Sequence, residues 1–302
     1  MPKIKYENHR FYKNNPKIIK IMDEIATDYH QRGYELTARQ LYYQLVSRNV
    51  IENNEKKYNS MIDLLKNARL AGLIDWDMIT DRTRNLRGWN YYDSPSEAIE
   101  RASWGFRLDV WDGQPCYVEV WVEKDALVDV VQKACSKTRT PFFSCRGFTS
   151  VSEVWGASQR LMRPWRADRE KVIIHLGDHD PSGIDMTRDI QARMDLFGAK
   201  VKVERIALNM EQIEQYNPPP NTAKETDKRY KAYKKQFGKH CWELDALRPE
   251  VIENLIDSKI KEYLDLSQFH KMEQAEEEQQ KELIAIAENY KGALQGAREY
   301  QA

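Results

Sequence analysis

Apolar positions in the first third of the chain recur at helical spacing. Between residues 16 and 32 they fall at Ile18, Ile21, Met22, Ile25 and Tyr29, one face of a helix that Gly33 is placed to stop. Thr37 can cap a second helix reaching about Asn49. Residues 55–71 predict a third, with Met61, Leu64, Leu65 and Ala68 on one face and Gly72 at its end. Residues 73–79 then read as extended. Three helices followed by a short strand or wing suit a helix-turn-helix or winged-helix domain; a plain helical bundle is the alternative.

The pattern changes further on. Residues 85–115, rich in Trp, Tyr, Gly and Asp, read as a linker with irregular packing. Apolar strands are predicted at 117–122, 141–145, 172–176 and 200–207. Helical stretches at 125–135, 151–162 and 182–197 lie between them. Strand–helix alternation at this spacing predicts a mostly parallel sheet, and so an α/β fold. The run Asn217-Pro218-Pro219-Pro220-Asn221 breaks the chain. Helical segments follow, then a Gln/Glu-rich tail from about Lys271 that predicts a solvated helix. No internal repeat is present.

Composition narrows the class. The 302 residues are 41% hydrophobic and 31% charged, which suits a globular chain. No apolar run approaches the ~20 residues of a membrane span. The opening residues lack the apolar core of a signal peptide. Cys116, Cys135, Cys145 and Cys241 fit no zinc spacing and predict reduced thiols, hence a cytoplasmic location. Formal net charge is zero, but it is unevenly spread. Residues 1–92 carry 16 Lys/Arg against 11 Asp/Glu, and residues 224–240 carry seven against two, with Tyr230, Tyr233 and Phe237 interleaved. Residues 271–302 carry four basic and seven acidic side chains. Such segregation lets a neutral chain present a positive face to nucleic acid; a solvated surface is the plain alternative.

Candidate chemistry lies at strand ends. Val118-Glu119-Val120-Trp121-Val122 ends in Glu123, and Val172-Ile173-Ile174-His175-Leu176 leads through Gly177 to Asp178-His179-Asp180. In a parallel sheet the carboxyl ends share one edge, so the three carboxylates can converge there. Hard oxygen donors of this kind suit Mg²⁺, with Mn²⁺ as an alternative. His179 is read as an outward or hydrogen-bonded side chain rather than a ligand. Upstream, Arg39 and Tyr43 lie four residues apart, on one face of the second predicted helix. Tyr43 offers a nucleophile or a core side chain. Tyr42 points about 100° away and is expected in the core.

Glu123 after one strand, Gly147 after the next and Asp178-His179-Asp180 after a third resemble a Toprim domain, the Mg²⁺-binding module of topoisomerases, primases and some nucleases. Asp178-His179-Asp180-Pro181-Ser182-Gly183 resembles more closely the A subunit of topoisomerase VI and the related meiotic double-strand-break transesterases. In that family a winged-helix domain carrying the tyrosine precedes the Toprim domain. Arg39-Gln40-Leu41-Tyr42-Tyr43 resembles its tyrosine motif, and Leu64-Leu65-Lys66-Asn67-Ala68-Arg69 its next helix. The resemblance covers roughly residues 36–265. The chain departs from it at Arg146-Gly147-Phe148-Thr149-Ser150, where the family commonly has an aspartate, and it carries no P-loop.

The resemblance implies a compact stand-alone relative, of the sort bacteria and phages encode. It would have a winged-helix domain at 1–92, a Toprim domain at 93–265 and a charged helical tail at 266–302. Tyr43 would attack double-stranded DNA to leave a 5′-phosphotyrosyl link, with Arg39 on the phosphate and Glu123, Asp178 and Asp180 holding the metal. Arg69, Arg146, Lys228, Arg229 and Lys231 would contact DNA. A homodimer in which each tyrosine faces the partner's metal, a nucleoid location, and optionally a separate ATPase subunit complete the expectation. A hydrolytic Toprim nuclease and a non-catalytic DNA-binding or complex-forming protein are the rival readings.

Overall fold

In the computed structural model, residues 3–80, 89–163, 169–290, 292 and 294 are described. They form a mixed α/β fold whose central sheet has four parallel strands. The chain divides into two compact units, residues 1–84 with 116–262, and residues 85–115 with 263–302.

The first unit opens with α1 (Asn15–Gln31), β1 (Leu36–Thr37), α2 (Ala38–Ser47), α3 (Glu55–Leu70) and β2 (Ile79–Thr80). α2 starts where its cap predicts. The Thr37 side chain accepts from Gln40 N–H while the Gln40 side chain accepts from Thr37 N–H, a closed capping box. Gly72 takes φ +70°, and a Cβ there would sit 2.9 Å from the Lys5 backbone nitrogen, so glycine is needed at this stop. Only the end of residues 73–79 is a strand: β1 and β2 pair in parallel, Leu36 with Ile79 and Thr37 with Thr80. Met22, Ile25, Leu36, Leu41, Leu45 and Ile74 are fully buried at the centre of this helical core.

The sheet follows, in strands β3 (Cys116–Val122), β4 (Phe142–Ser144), β5 (Glu170–Leu176) and β6 (Lys202–Ala207). Spatial order is β4-β3-β5-β6, and every pairing is parallel. The connecting helices are α5 (Val128–Ser136), α6 (Val151–Leu161) and α7 (Pro181–Leu196), with a 3₁₀ turn at Asp125–Leu127 ahead of α5. All seven residues of β3 are buried, as a strand covered on both faces requires. Beyond β6 come α8 (Met210–Tyr216), β7 (Asn221–Thr222), α9 (Tyr230–Phe237), β8 (His240–Cys241), a 3₁₀ turn at Leu244–Ala246 and α10 (Pro249–Lys261).

The second unit differs from the expected linker and solvated tail. Residues 95–105 form a helix, α4 (Pro95–Gly105), capped by Ser94. It packs on α11 (Leu266–Glu288). Leu108 N–H donates to buried Glu276 at 2.7 Å, and the Gln280 side chain donates to Phe106 C=O at 3.0 Å. One face of the tail helix is therefore covered. Residues 295–302 of the tail lie outside the described residues.

No described helix is long and apolar enough to cross a membrane.

Candidate functional site

Parallel register brings the predicted acids to one sheet edge. Val122 pairs with Leu176, so Glu123 and Gly177 leave the sheet side by side. Glu123 N–H donates to Leu176 C=O at 2.8 Å, and Asp178 N–H donates to Glu123 Oε2 at 2.8 Å. Gly147 N–H donates to Glu123 C=O at 3.1 Å, bringing the loop after β4 to the same edge. Asp180 caps α7 by accepting from Gly183 N–H at 2.6 Å. Gly183 has no alternative here: a Cβ would lie 2.3 Å from Asp178 C=O and 3.0 Å from Glu123 Oε2.

A second acid pair, absent from the expectations, faces the first. Glu243 and Asp245 follow β8. His179 N–H donates to Trp242 C=O at 2.8 Å, and Trp242 N–H donates back at 3.0 Å. Leu244 N–H donates to Asp178 Oδ1 at 2.8 Å. Lys124 is the hub between the pairs. Its Nζ lies 3.0 Å from Asp178 Oδ2 and 3.2 Å from Asp245 Oδ1, and it also pairs with Glu243. Arg39 of α2 closes the cluster, pairing with Glu243 and, at 3.1 Å, with Asp245.

The charge states follow from burial and these neighbours. Burial alone would lower the Lys124 ammonium, but Asp245, Asp178 and Glu243 override it and hold it charged. Burial would raise Glu243, but Lys124 and Arg39 draw it down to about 2. Burial pushes Asp178 up to about 8, with Glu123 and Asp245 adding to the shift against Lys124. Glu123 and Asp245 are raised too, chiefly by burial.

Arg205 of β6 braces the loop from beneath. Its guanidinium donates to the carbonyls of Gly177 at 2.9 Å, Asp178 at 2.7 Å and Gly183 at 2.9 Å. Burial lowers it to about 10.

The tyrosine helix reaches the same place. A cleft of about 660 Å³ is lined by Arg39, Tyr42 and Tyr43 together with Lys124, Asp178, Asp180, Asn221 and Glu243. Tyr43, Asp178 and Asp180 thus line one cavity within a single protomer; Glu123 is not among its lining residues. Tyr42 is buried, as expected, at 4%, and Tyr43 is buried with it, at 3%, as its core alternative requires. Tyr43 is covered because its ring packs on Tyr42, with centroids 5.3 Å apart, in the helical core. Burial raises the Tyr43 phenol, and Asp245 and Glu243 raise it further against Arg39 and Lys124.

The expected DNA contacts divide. Arg146 is exposed and pairs with Asp125 at 3.2 Å. Lys228 and Lys231 are exposed, whereas Arg229 is pulled onto Asp185 at 2.8 Å and Asp227 at 3.1 Å. The interleaved aromatics pack inward, Phe237 partly buried against the other two. Tyr230 and Tyr233 form the buried face of α9, and Tyr233 holds His179, Oη to Nδ1, at 2.8 Å. His179 is therefore the hydrogen-bonded histidine of the two alternatives, not an outward one. Arg69 turns inward, donating to the carbonyls of Trp76 and Ile79.

Whether Mg²⁺ fits rests on the donor set. Glu123, Asp178, Asp180, Glu243 and Asp245 face Lys124, Arg39 and Arg205, so five carboxylates meet three cations. The crowding that raises Glu123, Asp178 and Asp245, and the all-oxygen chemistry, fit a hard divalent cation. Among the described residues no three His, Cys, Asp or Glu side chains converge tightly enough to cage an ion. The reason is visible: Lys124 and Leu244 N–H hold Asp178, the α7 cap holds Asp180, and Asp178 N–H holds Glu123. Mg²⁺ needs only one or two carboxylates besides water and phosphate, so the donor set still fits.

No protein-family model, no curated protein and no solved structure matches the chain.

Proposed function

We propose that the chain cleaves double-stranded DNA by transesterification at Tyr43, with the winged-helix and Toprim organisation the sequence resembles. The observation that carries this reading is the shared cleft: Tyr43 and Arg39 line the same cavity as Asp178 and Asp180. The phenol oxygen attacks a backbone phosphorus, the bond from phosphorus to the 3′-oxygen breaks, and the 3′-oxygen takes up a proton. The products are a 5′-phosphotyrosyl link and a free 3′-hydroxyl. Burial, with Asp245 and Glu243, opposes a free phenolate, so Tyr43 reacts as a neutral phenol that gives its proton to solvent during attack, and the 3′-oxygen takes its proton from solvent. Arg39 supplies positive charge beside the ring, its guanidinium 5.9 Å from the centroid.

Asp178, Asp180 and Glu123 would hold Mg²⁺ or Mn²⁺, which neutralises charge on the phosphate oxygens. Cleavage of both strands calls for two copies, hence a homodimer; an ATPase would be a separate chain.

One observation favours a second reading. A buried tyrosine with a raised phenol is poorly placed to attack, and metal-activated water in the same cleft would make the protein a hydrolytic nuclease.

Supercoiled plasmid incubated with Mg²⁺ or Mn²⁺ and quenched with detergent, with and without protease, decides between them. Protein remaining covalently on DNA, and lost in Tyr43→Phe, is the expected result. Nicking without linkage, unchanged in Tyr43→Phe, selects hydrolysis. DNA binding without cleavage under any metal leaves only a binding role.

A further inference from the structure

A second cavity of about 440 Å³ adjoins the first. Arg39 and Tyr58 line both, so they form the wall between them. The floor of the second cavity is apolar, made by Ile62 and Leu65 of α3, Ile79 of β2, and Ala126. Its rim carries Arg39, Lys66, Arg69 and Asp125; Arg39 is paired with Glu243 and Asp245 and Arg69 is held on the Trp76 and Ile79 carbonyls, while Lys66 is exposed. The Arg69 guanidinium lies over Trp76, 4.5 Å from the ring centroid, and Trp76 also lines the cavity.

From this geometry we propose that the second cavity takes one unpaired nucleobase of the DNA strand whose backbone runs through the first. The proposal rests on the reading of the first cleft as the DNA site. Three features select a base over other occupants. The volume lies in the range of small-ligand sites. The apolar floor and the guanidinium–indole pair offer a flat ring the stacking surface that bases use on Trp and Arg. The exposed Lys66 on the rim offers a cation to a phosphate beside that nucleotide. A base can enter only after leaving the duplex stack, which costs least where it is already unpaired. The substrate class is therefore DNA with an extrahelical, gapped or melted nucleotide next to the cleavage position.

The test uses the full chain and two labelled duplexes, one fully paired and one carrying a single extrahelical fluorescent purine analogue. Binding is followed by anisotropy at low salt, and stacking by quenching of the analogue. The wild type is expected to bind the second duplex about 10-fold more tightly and to quench its fluorophore. Trp76→Ala and Ile62→Trp, which respectively remove a stacking wall and fill the cavity, should bind both duplexes equally, at the wild-type affinity for the paired one. Ile62→Trp leaves the Trp76 side chain in place, and the urea midpoint of each variant separates loss of the cavity from loss of folding. Equal wild-type affinity for both duplexes, or quenching that survives Ile62→Trp, overturns the inference while leaving the first cleft's assignment intact. No binding of either duplex overturns both.

Discussion

Replacing Lys124 by Met keeps the length of the side chain and removes its charge. Each ion pair at about 3 Å is worth roughly 5 kcal/mol at an effective dielectric constant near 20, before the cost of burying the ammonium is subtracted. The three carboxylates on Lys124 do not lose equally. Glu243 and Asp245 keep Arg39, whereas Asp178 is left between Glu123 and Asp245 with no ion-pair partner among the described residues. Asp178, already pushed up to about 8, takes up a proton once Lys124 is gone, so the cost is the lost pairing and not a stranded charge, about 1–3 kcal/mol. The expected result is a fall in thermal midpoint of ~5 °C at neutral pH. Adding Asp178→Asn should cost little more, because that side chain is already uncharged in Lys124→Met. The assay is a double-mutant cycle in urea on Lys124→Met, Asp178→Asn and the pair, with and without Mg²⁺. A coupling of at least 1.5 kcal/mol is expected on the order of that seen for contacting charges. Mg²⁺ should stabilise Lys124→Met more than the wild type, since the added cation meets one positive charge fewer. A Lys124→Met protein that unfolds at the wild-type midpoint, or purely additive mutations, would refute the view that Lys124 neutralises the cluster.

Gly183→Ala puts a Cβ against Asp178 C=O and should cost about 1–3 kcal/mol in unfolding free energy; an unchanged urea midpoint would show that the loop yields freely. Asp180→Asn should abolish metal-dependent cleavage and keep the α7 cap, whereas Asp180→Ala should lose about 1 kcal/mol of stability as well, both read from melting curves and plasmid assays. His175 is buried and held neutral, with its pKa lowered to about 3, while the unfolded chain binds that proton near pH 6.5. Stability should therefore fall as pH drops below 6.5, by up to ~1.4 kcal/mol per pH unit from this residue, and the fall should be shallower in His175→Asn. Lys228→Gln and Lys231→Gln should each reduce the slope of log affinity against log salt for DNA by about 1 if they touch phosphates, and a slope identical to wild type would remove them from the interface.

Much of the site was legible because strand ends are. Apolar runs fixed where β3 and β5 stop, and parallel pairing did the rest, so Glu123, Asp178 and the Gly147 loop share an edge as expected. The capping chemistry of Thr37 placed Arg39 and Tyr43 on α2. Lys124, Glu243, Asp245 and Arg205 were missed because their roles depend on partners far away in the chain; Lys124 and Asp245 are 121 residues apart. A local signal existed for one pair: Glu243-Leu244-Asp245 repeats the acid-x-acid spacing of Asp178-His179-Asp180 just after a short strand. The exposure of Tyr43 could not be read from its helix, because the aromatic shell that buries it comes from tertiary packing. The helix α4 was hidden by a composition that resembles a linker, although Ser94-Pro95 is a start signal.

The 3₁₀ turn at Leu244–Ala246 has a consequence for the order in which the protein is made. Ala246 belongs to the core of the N-terminal helices, and Glu243 ties to Arg39 across 204 residues of chain. Tyr34 likewise waits for Glu253, 219 residues later, and Asn53 for Asn221, 168 residues later. At ~5–20 residues per second, a ribosome takes roughly 10–40 s to cover 200 residues. For that interval α1–α3 stand outside the exit tunnel with their last core residue and their acidic partners still untranslated. The nascent helices leave Arg39 without its two carboxylates and one edge of their core uncovered until the closing turn emerges. A chain stopped anywhere before Glu243 leaves Arg39 and Tyr43 without the wall that encloses them.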